Sequence, residues 1–338
     1  MRDWPEHALR ALAEGERAVL VTVAATQGSA PREPGARMLV GRARQWGTVG
    51  GGNLEYTAAG DARALLASGA EWPEVREYSL GPKLDQCCGG HVTCVFEPLG
   101  EADRGWLAAV SRAARERTGE RRYVPLLKEE KPHLVPAASP QDMLAPGEPL
   151  ALLSGTGERL ILPRVEPRDL AAMIEPVRSP EPCLFMYGAG HVGRAVAKLV
   201  SGLPLDVVWI DSRDDAFPAT IPDNVTARRA ETPAAVIAEA PPDSLYLVFT
   251  HSHPLDFEIT ARILARADAR YVGLIGSETK RARFVKRFRD DLGLSDEQIA
   301  RLVCPIGLDG PPGKEPEVIA IGVAAEVMRA AREGAVPA

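Results

Sequence analysis

The stretch Cys183-Leu184-Phe185-Met186-Tyr187-Gly188-Ala189-Gly190-His191-Val192-Gly193-Arg194-Ala195-Val196-Ala197 decides the fold. A short apolar run passes into G-x-G-x-x-G and then into small residues that open a helix. That is the order of a strand, a phosphate-binding turn and a helix. Gly188 permits the tight turn, Gly190 lets an anion approach the backbone, and Gly193 lets the helix lie close on the strand. The start of such a helix adds free N–H groups and the positive end of a dipole. Three glycines alone are a weak signal, but a second apolar run, Asp206-Val207-Val208-Trp209-Ile210, follows and ends in Asp211. A Rossmann pattern places its ribose-binding acid there. Folds of this kind host many activities, so function has to come from the site.

The rest of the C-terminal half keeps alternating. After a helix to Val200 and a strand from Val207 to Asp211 come a loop with Phe217-Pro218, a helix opening at Thr232, and the strand Ser244 to Phe249. That strand runs into Thr250-His251-Ser252-His253-Pro254-Leu255-Asp256. His251 and His253 lie where open α/β sheets bind ligands, and read as metal ligands, as ligand or acid–base contacts, or as a structural turn. The next strand, Tyr271 to Ile275, leads to Gly276-Ser277-Glu278-Thr279-Lys280-Arg281. Ser277 reads as a helix cap, and Lys280 and Arg281 as a solvated basic face. A last helix spans about Pro316 to Arg332. Strands alternating with helices predict a doubly wound parallel sheet.

Upstream, helical spacing covers Trp4 to Glu14, and strands cover Ala18 to Val23 and Ala36 to Val40. Between them lies Thr26-Gln27-Gly28-Ser29-Ala30-Pro31-Arg32-Glu33-Pro34-Gly35, where Ser29 and Arg32 suit an oxyanion; the other reading is an ordinary turn. A strand near Trp46 to Val49 enters Gly50-Gly51-Gly52-Asn53-Leu54-Glu55 and an alanine-rich helix. Asn53 reads as its cap, and Gly51 and Gly52 as a second anion-binding turn. After a strand at Val75 to Leu80, Cys87 and Cys88 sit in Gly81-Pro82-Lys83-Leu84-Asp85-Gln86-Cys87-Cys88-Gly89-Gly90-His91, before the strand Val92 to Glu97. Adjacent Cα atoms about 3.8 Å apart are too close for an unstrained disulfide, so both are free thiols. Lys83 and His91 would favour the thiolate, which binds soft metals and attacks sulfur; zinc would need a second cysteine pair. Cys94, Cys183 and Cys304 lie in apolar runs and read as buried small hydrophobes.

A helix from Ala102 to Arg117, strands at Arg122 to Leu127, Leu150 to Leu153 and Leu160 to Leu162, and a loop over 128–147 complete this half. Pro163 to Pro182 holds five prolines around a short amphipathic piece, Leu170 to Ile174, the composition of a linker. The expected organisation is α/β: a mixed α+β N-terminal domain over 1–165, a linker over 166–182, and a Rossmann-like domain over 183–338. A chain of 338 residues suits two domains. A net charge of −6 gives no electrostatic reason to expect nucleic acid or acidic lipid as a partner. The charged start Met1-Arg-Asp-Trp-Pro-Glu-His is no signal peptide, and no apolar run reaches the roughly 20 residues a bilayer span needs, so no membrane is expected and the cytoplasm is the default.

In order along both halves, Gly28-Ser29-Ala30-Pro31-Arg32, Gly47-Thr48-Val49-Gly50-Gly51-Gly52-Asn53-Leu54-Glu55, Gln86-Cys87-Cys88-Gly89-Gly90, Tyr187-Gly188-Ala189-Gly190-His191-Val192-Gly193, Thr250-His251-Ser252-His253 and Gly273-Leu274-Ile275-Gly276-Ser277 resemble the XdhC/CoxI family of xanthine dehydrogenase accessory factors. Gly310-Pro311-Pro312-Gly313 departs from the pattern. The resemblance implies a homo-oligomer, taken as a homodimer, that binds the molybdenum cofactor (molybdopterin). It also implies sulfuration of that cofactor with a cysteine desulfurase and delivery to a xanthine-dehydrogenase-like molybdoenzyme. The turn Gly188, Gly190, His191, Gly193 would cradle the phosphate, and Cys87 or Cys88 would contact molybdenum or sulfur. Asp211, Gly51, Gly52, Asn53, Ser29, Arg32, His251 and His253 complete the candidate set. Delivery needs no turnover chemistry, and no nucleophile, base and orienting group stand together in the sequence. The alternative is an NAD(P)-dependent oxidoreductase with Asp211 on the ribose, Arg213 leaving room for a 2′-phosphate, and His251 or His253 as proton donor. That alternative leaves the two thiols without a role.

Overall fold

A computed structural model of the protein describes residues 3–81, 89–116, 118–126, 130–137, 139, 143, 144, 148–160, 169–178, 181–222, 224–308 and 310–333. The chain forms two compact units, Met1–Pro180 and Glu181–Ala338.

In the first unit, α1 (Trp4–Ala13), β1 (Ala18–Gln27), β2 (Arg37–Gly41), β3 (Gln45–Gly47), α2 (Gly52–Ala67), β4 (Glu74–Ser79) and β5 (His91–Leu99) come first. They are followed by α3 (Arg104–Glu116), β6 (Arg121–Pro125), β7 (His133–Val135), β8 (Ala151–Leu153), β9 (Arg159–Leu160) and β10 (Ala172–Pro176). The strands make two antiparallel sheets, ordered β3-β2-β1-β5-β4 and β7-β6-β10-β8-β9. β1 is apolar and β-branched almost throughout and is covered on both faces. Val19, Val21 and Val23 pack with Leu54, Ala58 and Ala62 of α2, while Ala18 and Leu20 pack with Ala8 and Leu12 of α1.

The piece Leu170 to Ile174 is where structure and sequence reading part. Its residues 172–174 belong to β10, a fully buried strand at the centre of the second sheet, between β6 and β8. Flanking prolines give the segment a linker's composition. Its strand character comes from partners about 20 and 50 residues away in sequence, which local composition cannot register.

The second unit holds β11 (Cys183–Tyr187), α4 (His191–Val200), β12 (Asp206–Asp211), β13 (Val225–Arg229), β14 (Leu245–Val248) and α5 (His253–Arg266). β15 (Tyr271–Leu274), α6 (Glu278–Asp290), α7 (Asp296–Ala300), β16 (Leu302–Val303) and α8 (Pro316–Glu333) complete it. Its six strands form a parallel sheet ordered β13-β12-β11-β14-β15-β16, the expected Rossmann arrangement. Strand alternation splits the core: Leu184, Met186, Val207 and Trp209 pack with α4 and α8, and Phe185, Tyr187, Val272 and Leu274 with α5 and α6. The helix expected to open at Thr232 is a 3₁₀ helix, Pro233–Glu239, because Pro241-Pro242 stop it before an α-helix can propagate. Of the three cysteines expected to be buried, Cys94 and Cys304 are, while Cys183, first in β11, is partly exposed.

Candidate functional site

The chain reverses between β11 and β14, so the connections at their carboxyl ends diverge and leave a cleft. Gly188 leaves β11 with φ +114, its N–H donating to the Ile210 carbonyl at 2.8 Å, while the buried Trp209 indole donates to the Gly188 carbonyl at 2.9 Å. A Cβ at Gly188 would fall on the Phe249 carbonyl oxygen, and one at Gly193 on the Gly188 carbonyl oxygen. Both glycines are demanded by packing. Gly190 is different: its φ is an ordinary −75, and an added Cβ would meet none of the described residues within 4 Å. Among the described residues no side chain caps α4, which starts at the exposed His191 with Gly190 at its N-cap, whereas Ser252 caps α5 and Ser277, as expected, caps α6.

At the end of β12, Asp211 is buried and fully engaged. Oδ1 accepts from the Arg213 backbone N–H and Nε, both at 3.0 Å, and Oδ2 accepts from the Ala189 N–H at 2.7 Å and Arg213 Nη2 at 2.9 Å. Burial alone would raise its carboxyl, but the hydrogen bonds from Arg213 and Ala189 outweigh it and hold the group at about 2. Across the cleft, Asp256 Oδ1 accepts from the Thr250 N–H at 3.0 Å and hydroxyl at 2.7 Å, fixing the loop that carries His251. Its Oδ2 pairs with Lys280 Nζ at 2.6 Å, and Lys280 also donates to the Ile275 carbonyl at 2.9 Å. Lys280 was expected on a solvated face; it is buried because this carboxylate and carbonyl lie beneath the start of α6.

Gly188, Asp211, Ser212, Thr250, His251 and Leu255 thus line one cleft. His253 opens α5, exposed, with Arg283 3.3 Å from its Nδ1. Among the described residues, no group of three His, Cys, Asp or Glu is arranged to hold a metal ion.

In the first unit, three glycine-bearing loops converge. Gly28 lies against Gly90, whose own added Cβ would strike the Gln27 and Ser29 carbonyls, and a Cβ at Gly50 would strike the Pro31 ring. Gly50, Gly51 and Gly52 all have positive φ, a reversal that other residues resist. Asn53 is not the cap expected from its position. Gly51 precedes the helix, and the Glu55 carboxylate reaches back to the Gly51 N–H at 3.1 Å, the Val49 N–H at 3.2 Å and the Thr48 hydroxyl. The anion this turn holds is the chain's own, a role that the glutamate four residues past Gly51 signals in retrospect. Ser29, Arg32, Gly52 and Asn53 are exposed around it; Cys87 and Cys88 lie outside the described residues.

An added Cβ at Gly190 would point into open space among the described residues, before the N–H groups that open α4, which leaves room there for an anionic group such as the phosphate of the molybdenum cofactor. The residues expected at its metal end are the two cysteines.

Family models place this chain among known proteins. The XdhC Rossmann domain matches residues 184–327, and the XdhC and CoxI family matches residues 11–79. The molybdenum cofactor insertion chaperone PaoD of Escherichia coli is 27% identical over 326 residues, covering 95% of this chain and 85% of PaoD. The uncharacterized protein YqeB of Escherichia coli is 31% identical over 156 residues, 45% of this chain, and the match spans only 28% of YqeB. In fold, the chain resembles a Bacillus halodurans structure described as a xanthine dehydrogenase. The TM-score is 0.71 at 21% identity, covering 97% of this chain and 96% of that one.

Proposed function

Because the chain belongs to the XdhC and CoxI family, we propose that it is a molybdenum cofactor chaperone that inserts its cargo into a xanthine-dehydrogenase-type molybdoenzyme. The observation that carries this reading is the open, uncapped turn at Gly190 in a chain that parallels a molybdenum cofactor insertion chaperone along 95% of its length. The α4 N–H groups hold the terminal phosphate, Asp211 pins the turn through Ala189, and the loop fixed by Asp256 brings His251 against the ligand. The cargo supplies redox chemistry to the acceptor enzyme, not to this chain. Cys87 or Cys88 provides the soft contact and takes part in sulfuration with a cysteine desulfurase. The working form is a cytoplasmic homodimer. Ser29, Arg32, Gly52 and Asn53, exposed, and the partly exposed Gly51 add the first unit's polar contacts to the cargo.

The test is molybdenum and pterin content per chain, in protein isolated anaerobically from a host that makes the cofactor, with Gly190→Leu and the Cys87→Ala, Cys88→Ala pair alongside. Equal molybdenum and pterin in the native chain, lowered in both variants, is the expected result. Absence of both after incubation with released cofactor would overturn the reading.

A further inference from the structure

The parallel sheet, the turn at Gly188 and the acid ending β12 are the parts of a nicotinamide-dinucleotide site, in which that acid accepts from the ribose hydroxyls. The acid here is not available. A carboxylate offers about four lone-pair positions, and Asp211 fills them with the Arg213 N–H, Arg213 Nε, Arg213 Nη2 and the Ala189 N–H, all between 2.7 and 3.0 Å. Two of these come from a side chain that is 43% exposed at the lip of the cleft. We infer that Arg213 is the specificity-determining residue of this cleft. By occupying Asp211 it closes the cleft to ligands recognised through a ribose diol, and it leaves guanidinium N–H groups facing solvent in the diol's place. The inference depends on the cleft alone and stands whichever cargo the protein carries.

Removing the Arg213 side chain frees one acceptor position on each Asp211 oxygen, the number a 2′,3′-diol needs, while the Ala189 and residue 213 backbone bonds keep the carboxylate in place. Titration of NADH into the native chain, followed by nicotinamide fluorescence, should saturate only above about 1 mM. Arg213→Ala and Arg213→Gln should bind at least about tenfold tighter, the effect of roughly one hydrogen bond to a charged group. Arg213→Ala combined with Asp211→Asn, which still accepts from Ala189, should lose that gain. Circular dichroism and urea unfolding of each variant establish that it is folded. Native binding as tight as the variants', a folded Arg213 variant without gain, or a gain that survives Asp211→Asn would each overturn the assignment.

Discussion

A methyl group added at Gly193 would fall on the Gly188 carbonyl oxygen, whereas one added at Gly190 would meet none of the described residues within 4 Å. Within one motif, then, the glycines answer to different demands: chain packing at Gly188 and Gly193, and empty space before α4 at Gly190. Gly193→Ala should lower stability by about 1–3 kcal/mol, the usual cost of overpacking. Gly190→Ala should cost no more than about 1 kcal/mol, the difference between glycine and alanine at a helix cap. Urea unfolding midpoints separate the two; equal losses would mean that Gly190, too, serves packing. Spacing in the sequence announces this motif. What spacing does not announce is that Asp211 is spent, because its partners are a backbone N–H from the turn and an arginine that looks like surface.

Helix α6 shows the same limit one level up. Its sequence, Glu278-Thr279-Lys280-Arg281-Ala282-Arg283, reads as a charged, solvated start, yet Lys280 reaches inward to Asp256, 24 residues earlier. Through that carboxylate it ties α6 to the Thr250 loop and the start of α5. Breaking a buried pair from one side strands the other charge, so Lys280→Met should cost about 3–5 kcal/mol. Asp256→Asn in the same chain keeps an acceptor for the Thr250 N–H and removes the stranded charge, so the double variant should recover a large part of the loss. Coupling of that kind is expected for residues in contact and is read from a double-mutant cycle of unfolding free energies. Additive losses would show that the pair carries no charge coupling. By contrast, the caps at Ser252 and Ser277 follow local rules; Ser277 was legible for that reason.

On the scale of the whole molecule, the two units differ in how far their sequence reveals them. In the second, most neighbouring strands are joined through a helix close in sequence, β12 and β13 being joined by a loop, and this alternation gives the parallel sheet. In the first, strands pair across long separations, and a buried cluster links the two antiparallel sheets. Arg122 of β6 is fully buried; Nη1 and Nη2 donate to Glu97 of β5 at 2.7 and 2.9 Å, and Nε donates to Glu175 of β10 at 2.7 Å. Arg37 of β2 also pairs with Glu175, and the rings of Trp4 and Trp106 lie 4.8 and 5.5 Å from the Arg122 guanidinium carbon. Burial pushes the Glu97 carboxyl up despite Arg122, whereas at Glu175 the two guanidinium groups outweigh burial and bring it below its ordinary value. Arg122→Met leaves both carboxylates with Arg37 alone. The loss at pH 7 should be about 3–5 kcal/mol. In the variant the folded-state Glu97 carboxyl lies further above its unfolded value of about 4.3. A raised carboxyl costs stability above that unfolded value and nothing below it, so the loss relative to the native chain should shrink as pH falls from 7 toward about 4.5. Urea unfolding in a Trp209→Phe background, where Trp4, Trp46, Trp72 and Trp106 are the remaining tryptophans, reads this unit directly. A loss that stays constant between pH 7 and 5 would mean that the carboxylates are not the charges that Arg122 holds in place.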